Sequence, residues 1–113
     1  MDLLSTVQQF DSLKRVWRVL SWVLPDKMAK MGGAFVEGQG IFIFGGLREH
    51  RRGHHLQASN DAYRRKLDDK RWTRLDGLSE KRILFETIPI IDGQLYVVGG
   101  GNAEGASCET WDI

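Results

Sequence analysis

Proline and cysteine are both scarce in this 113-residue chain, at two residues and one. A single cysteine, Cys108, excludes an intrachain disulfide, and such usage suits a reducing compartment. Long hydrophobic runs are missing as well. The longest apolar stretch, residues 16–24, is broken by Arg18 and Ser21, and it falls short of the roughly 20 residues a membrane-spanning helix needs. The opening Met1-Asp2-Leu3 has no basic region ahead of an apolar run, so no secretory signal is expected and the reading is of a cytoplasmic protein. Nor is there an excess of charge of one sign. The formal net charge is +1, which excludes a polyanion binder for the chain as a whole. The nucleophile motif Gly-x-Ser-x-Gly, the phosphate-binding Gly-Lys-Ser/Thr and the metal motif His-Glu-x-x-His are all missing, so the chain reads as a non-enzyme.

Glycine, at 13, and tryptophan, at four, are plentiful. Together they suggest tight turns between strands packed by large rings. Hydrophobic residues make up 42% and charged residues 27%, the balance of a folded globular chain. The charge is uneven. Residues 47–82 hold 11 of the 16 Lys and Arg and 6 of the 15 Asp and Glu, a local net of +5 against −4 elsewhere.

An internal repeat organises these residues. Trp17 and Trp72 are 55 residues apart, and the diglycines Gly45-Gly46 and Gly99-Gly100 are 54 apart. Each diglycine closes an apolar run, Ile41-Phe42-Ile43-Phe44 or Leu95-Tyr96-Val97-Val98. Each run follows a Gly-containing turn, and ahead of each turn stands another strand candidate, residues 33–36 and 87–91. The unit therefore reads as strand, Gly turn, strand, Gly-Gly, loop, strand, short turn, and a strand carrying Trp, the content of one four-stranded antiparallel blade. Over residues 11–23 the apolar positions Leu13, Val16, Trp17, Val19, Leu20 and Val23 would also satisfy a helical stripe. The repeat match to the Trp72 region favours a strand. Residues 47–60 lack apolar periodicity and read as a loop. Asp11, Asp68 and Asp112 read as turn formers that bond nearby backbone N–H groups, and Cys108 as a buried small hydrophobe in a strand.

The diglycines after apolar strands, the Phe10-to-Trp17 spacing and the Trp17/Trp72 pair resemble the kelch repeat family, over nearly the whole chain. The resemblance implies an all-β fold, a partial β-propeller of four-stranded antiparallel kelch blades. Residues 1–29 would supply the last two strands of one blade plus a linker, 30–80 a complete blade, and 81–113 the first three strands of the next. Gly32-Gly33-Ala34 match the small first strand of such blades, whereas Phe85, Glu86 and Pro89 depart from it. A closed ring needs about 4–8 blades. The chain would then be a fragment, a shortened product without independent activity, or a self-associating unit. The function implied is a protein-interaction module of the kind found in substrate-recruiting adaptors or actin-associated scaffolds. The alternative is part of a kelch-fold enzyme of the sugar mutarotase or copper radical oxidase type; Tyr63 and Tyr96 stand in strands, which counts against the oxidase.

In that frame the 47–60 segment connects the second and third strands of a blade. Arg48, Arg51 and Arg52, with His54, are the expected contacts to an acidic segment of a protein partner, through charge-assisted bidentate bonds. Lys30 and Arg82, with Lys27 and Lys81, would extend this into a basic rim. His50, His54 and His55 lack a Cys or carboxylate at zinc-site spacing, so no metal site is expected. Neither a cofactor nor a nucleic acid or membrane partner is implied. Gly45, Gly46, Gly99, Gly100, Trp17 and Trp72 are the structural motif.

Overall fold

The computed structural model describes residues 4–49, 56–83, 88–98 and 108–112. The fold is all-β. Among these residues there is no helix long and apolar enough to cross a membrane. The strands are β1 (Leu4–Asp11), β2 (Val16–Ala29), β3 (Gly32–Val36), β4 (Gly40–Phe44), β5 (Leu47–Glu49), β6 (Leu56–Ala58), β7 (Ala62–Arg65), β8 (Thr73–Leu75), β9 (Ile90–Ile91), β10 (Gln94–Val98) and β11 (Cys108–Asp112). They form three antiparallel sheets, ordered β1-β2-β5-β6, β3-β4-β7-β8 and β9-β10-β11.

The central sheet is a four-stranded meander whose two inner strands explain its position. Alternate residues of a strand point to opposite faces. On β4, Phe42 and Phe44 enter a cluster with Ala34, Ala62, Leu78, Ile88, Leu95 and Val97, which joins the central sheet to the third one. Ile43 points the other way and clusters with Tyr63 and with Met28 of β2, flanked by Leu24, Met31, Ile41 and Trp72. The central sheet is thus apolar on both faces and lies between the other two, as a stacked blade must to bury its surface. The faces of Phe42 and Phe44 stack with ring centroids 6.2 Å apart.

The diglycine lies where three backbone segments meet. Gly45 and Gly46 have φ of 63° and 97°. Gly45 N–H donates to the Asp61 carbonyl and Gly46 N–H to the Arg82 carbonyl, both at 2.8 Å, while the Gly46 carbonyl accepts from Ser59 N–H. A Cβ on Gly45 would sit 2.6 Å from the Arg82 carbonyl oxygen, and one on Gly46 2.7 Å from that of Ala29. Positive φ and close backbone approach both demand glycine here. Gly99 and Gly100 lie outside the described residues.

Three expectations are corrected. Residues 47–60 are not simply a loop: β5 and β6 pair as a hairpin, Leu47 with Ala58 and Glu49 with Leu56, and Met28 and Ala29 of β2 pair with β5. Secondly, no linker ends the 1–29 segment: β2 runs on to Ala29, passing Pro25. Its pairing with β1 shifts register between Thr6 and Leu4, and Pro25 falls in that irregular stretch, where no ladder N–H is required of it. Finally, Asp112 pairs with Gln94 inside β11 and is not in a turn. Asp11 does serve a turn, its Oδ1 accepting from Leu13 and Lys14 N–H. In the corresponding turn of the central sheet Asp69, not Asp68, accepts from Lys66 N–H. Pro89 precedes the edge strand β9 and its carbonyl accepts from Tyr96 N–H, so it removes no donor from a sheet interior.

Candidate functional site

The basic connection between β5 and β6 is fixed at its base by Arg48. This side chain comes off β5 opposite Gln57 and turns onto the central sheet. Its Nη1 lies 2.7 Å from Asp61 Oδ2, its Nη2 donates to Tyr63 Oη at 2.8 Å, and its Cζ stands 5.4 Å from the Tyr63 ring centroid. Asp61 Oδ1 also accepts from Arg74 Nη2 at 2.8 Å. Two guanidiniums on one carboxylate leave the cluster with a net positive charge. Arg48 and Asp61 are mostly shielded, whereas Arg74 is exposed and its share of the pairing is screened by solvent and salt.

The expected site residues part company in the structure. Arg48 is held in the cluster just described. Lys30 is exposed and follows Ala29, the partner of Leu47, so it stands at the base of the same hairpin. Arg82 corrects the expectation of a rim residue, because it is fully buried. Its backbone bridges to Ser59 and supports Gly46, which draws the whole residue under the diglycine, with Glu80 Oε2 3.6 Å from its Nη2. Arg51, Arg52 and His54 lie outside the described residues. Trp72 is half-buried, meets Trp22 edge to face at 6.4 Å, and donates from Nε1 to the Val23 carbonyl at 3.0 Å. Trp17 packs edge to face on Phe10 at 5.2 Å but remains 67% exposed.

Asp61 and Tyr63 were missed as partners of Arg48, as was Arg74, which shares Asp61 with it. The available signal was weak: Asp61 stands just ahead of β7, the strand that pairs with β4, and only the β5–β6 hairpin brings Arg48 alongside. Among the described residues no group of three His, Cys, Asp or Glu could hold a metal ion.

No protein-family model matches the chain. It is 33% identical over 69 residues to the N-acetylneuraminate epimerases of Haemophilus influenzae strains PittEE and 86-028NP, covering 61% of this chain and 18% of each relative. It is 27% identical over 97 residues to the spermatocyte protein spe-26 of Caenorhabditis elegans, covering 85% of this chain and 16% of that protein. The chain therefore spans under a fifth of the length of these relatives. Such partial and distant similarities, together with the antiparallel four-stranded sheets, support a kelch-type fold.

Proposed function

We propose that the chain is a kelch-type interaction module that binds an acidic segment of a protein partner through the connection between β5 and β6. The supporting observation is the anchored base of that hairpin: Glu49 pairs with Leu56, and Arg48 is tied to Asp61 and Tyr63. A connection of six residues between these anchors carries Arg51, Arg52 and His54, and a rigid base lowers the ordering cost of a binding loop. The local net charge of +5 adds long-range attraction for an acidic segment. Another sheet, from further blades or from a second copy, covers the exposed face of the β1–β2 hairpin.

The test is fluorescence anisotropy with a Glu-rich peptide and a Lys-rich peptide of equal length. The acidic peptide binds, its affinity falls as salt rises, and Arg51→Ala/Arg52→Ala weakens it tenfold or more. Equal affinity for both peptides, or no loss in the double variant, overturns the reading.

A second reading follows from the identity to N-acetylneuraminate epimerases: the chain contributes part of a sugar-epimerase site. Titration calorimetry with N-acetylneuraminate separates the two, since saturable binding of that sugar favours the enzyme reading and its failure leaves the interaction module.

A further inference from the structure

We propose that the groove between β2 and the turn joining β7 to β8 is a carboxylate-binding site centred on Arg65. The groove has a volume of about 630 Å3 and is walled by Trp22, Pro25, Trp72 and the charged turn residues Asp69, Lys70 and Arg71. Pockets of this size hold small organic ligands. Arg65 lines it and is itself only 6% exposed. Its Cζ lies 4.2 Å from the Trp22 ring centroid, and its Nη2 donates to the Asp69 carbonyl at 2.8 Å. Its Nε is buried with no hydrogen-bond partner, and no carboxylate pairs with it among the described residues.

This combination is unusual for a buried cation. Buried charges are ordinarily paired, because an uncompensated one is costly. Arg48 and Arg64 also have an orphan Nε, but Arg48 is paired with the Asp61 carboxylate and Arg64 is more exposed and donates to Gln39. The sequence position sharpens the contrast. Arg65 stands seven residues before Trp72, as Phe10 stands seven before Trp17. Phe10 fills that place with an aromatic ring packed on its Trp. Arg65 substitutes a guanidinium, stacked on Trp22 instead, in a slot where a ring would need no counter-charge.

A guanidinium that lines the groove with no carboxylate partner among the described residues can take one through charge-assisted bonds from its Nη groups, since Nε itself is closed off from solvent. Around it the groove carries Arg65, Lys70 and Arg71 against Asp69, so an anion is favoured. The faces of Trp22 and Trp72 suit a flat or apolar body attached to that carboxylate. The ligand is therefore a carboxylate with such a body, either a free small acid or an acidic side chain of a peptide. None of the residues in the connection between β5 and β6 is required.

The experiment is a titration of the 15N-labelled chain, followed through the indole N–H resonances of Trp22 and Trp72, with benzoate, its neutral counterpart benzamide, a capped Ala-Glu-Ala peptide and inorganic phosphate. Benzoate or the glutamyl peptide shifts these two resonances saturably and benzamide does not; the tighter of the two identifies the source of the carboxylate. Arg65→Phe, which restores the aromatic residue of the first copy, weakens binding at least tenfold. Lys70→Glu/Arg71→Glu, at exposed positions that leave the fold alone, weakens it severalfold. Equal responses to benzoate and benzamide, tighter binding of phosphate than of either carboxylate, or unchanged binding in the Lys70/Arg71 variant would each overturn the assignment.

Discussion

Gly46 and Gly38 both have positive φ, 97° and 78°, yet they should respond very differently to a methyl group. At Gly38 an added Cβ has nothing within 4 Å, so Gly38→Ala costs only the strain of a left-handed alanine, about 1 kcal/mol. At Gly46 the same Cβ meets the Ala29 carbonyl oxygen at 2.7 Å and Met31 Cβ at 2.9 Å, and the backbone around it is held by hydrogen bonds to Arg82 and Ser59. Gly46→Ala is expected to cost about 3 kcal/mol or more, as backbone strain adds to a forced displacement. Urea denaturation followed by circular dichroism checks the pair. Equal midpoints for the two variants would show that backbone crowding is not what the diglycine relieves.

On the scale of whole strands, β4 holds the layers together by facing both ways. Phe42 is fully buried between the central and third sheets, whereas Phe35 on the neighbouring β3 is 50% exposed. Phe42→Ala is expected to lose about 3–5 kcal/mol and Phe35→Ala about 1 kcal/mol or less. A domain of this size has about 5–15 kcal/mol in total, so the first variant should be largely unfolded or poorly expressed, read as loss of tryptophan chemical-shift dispersion. β4 was legible from its unbroken apolar run and closing diglycine, as was β10 from its own run. The order of the four strands in the central sheet followed from the repeat. The β5–β6 hairpin was not legible, because two three-residue strands of mixed polarity carry no period and depend on the edge that Met28 and Ala29 offer. Arg82 misled for a related reason: composition marks arginine as a surface residue, but the bridge to Ser59 places its backbone under the diglycine. Arg65 was hidden because the aromatic-to-Trp spacing of Phe10 and Trp17 puts an arginine, not a ring, seven residues before Trp72.

Across the whole molecule, the two cores account for the central sheet's faces but leave one face of the β1–β2 hairpin uncovered. Trp17 and Val19 alternate on β2, with Phe10 directly opposite Trp17, and Val23 lies beyond a register shift in the same strand. All four are exposed, Val19 at 63% and Val23 at 59%. A contiguous apolar patch on a sheet of this kind is a surface for another sheet. In a solution of the chain alone, the available sheet is a second copy. Sedimentation velocity over a range of concentrations is expected to show reversible self-association, and Trp17→Lys/Val19→Lys to return the chain to a monomer whose unfolding midpoint matches that of the parent at concentrations low enough for the parent to be monomeric, since neither side chain enters a core cluster. Salt should affect this association little, because it rests on apolar area, whereas binding of an acidic peptide weakens steeply with salt. A chain that stays monomeric at high concentration while Trp17 fluorescence remains that of a solvated indole would show that a second copy does not cover this face.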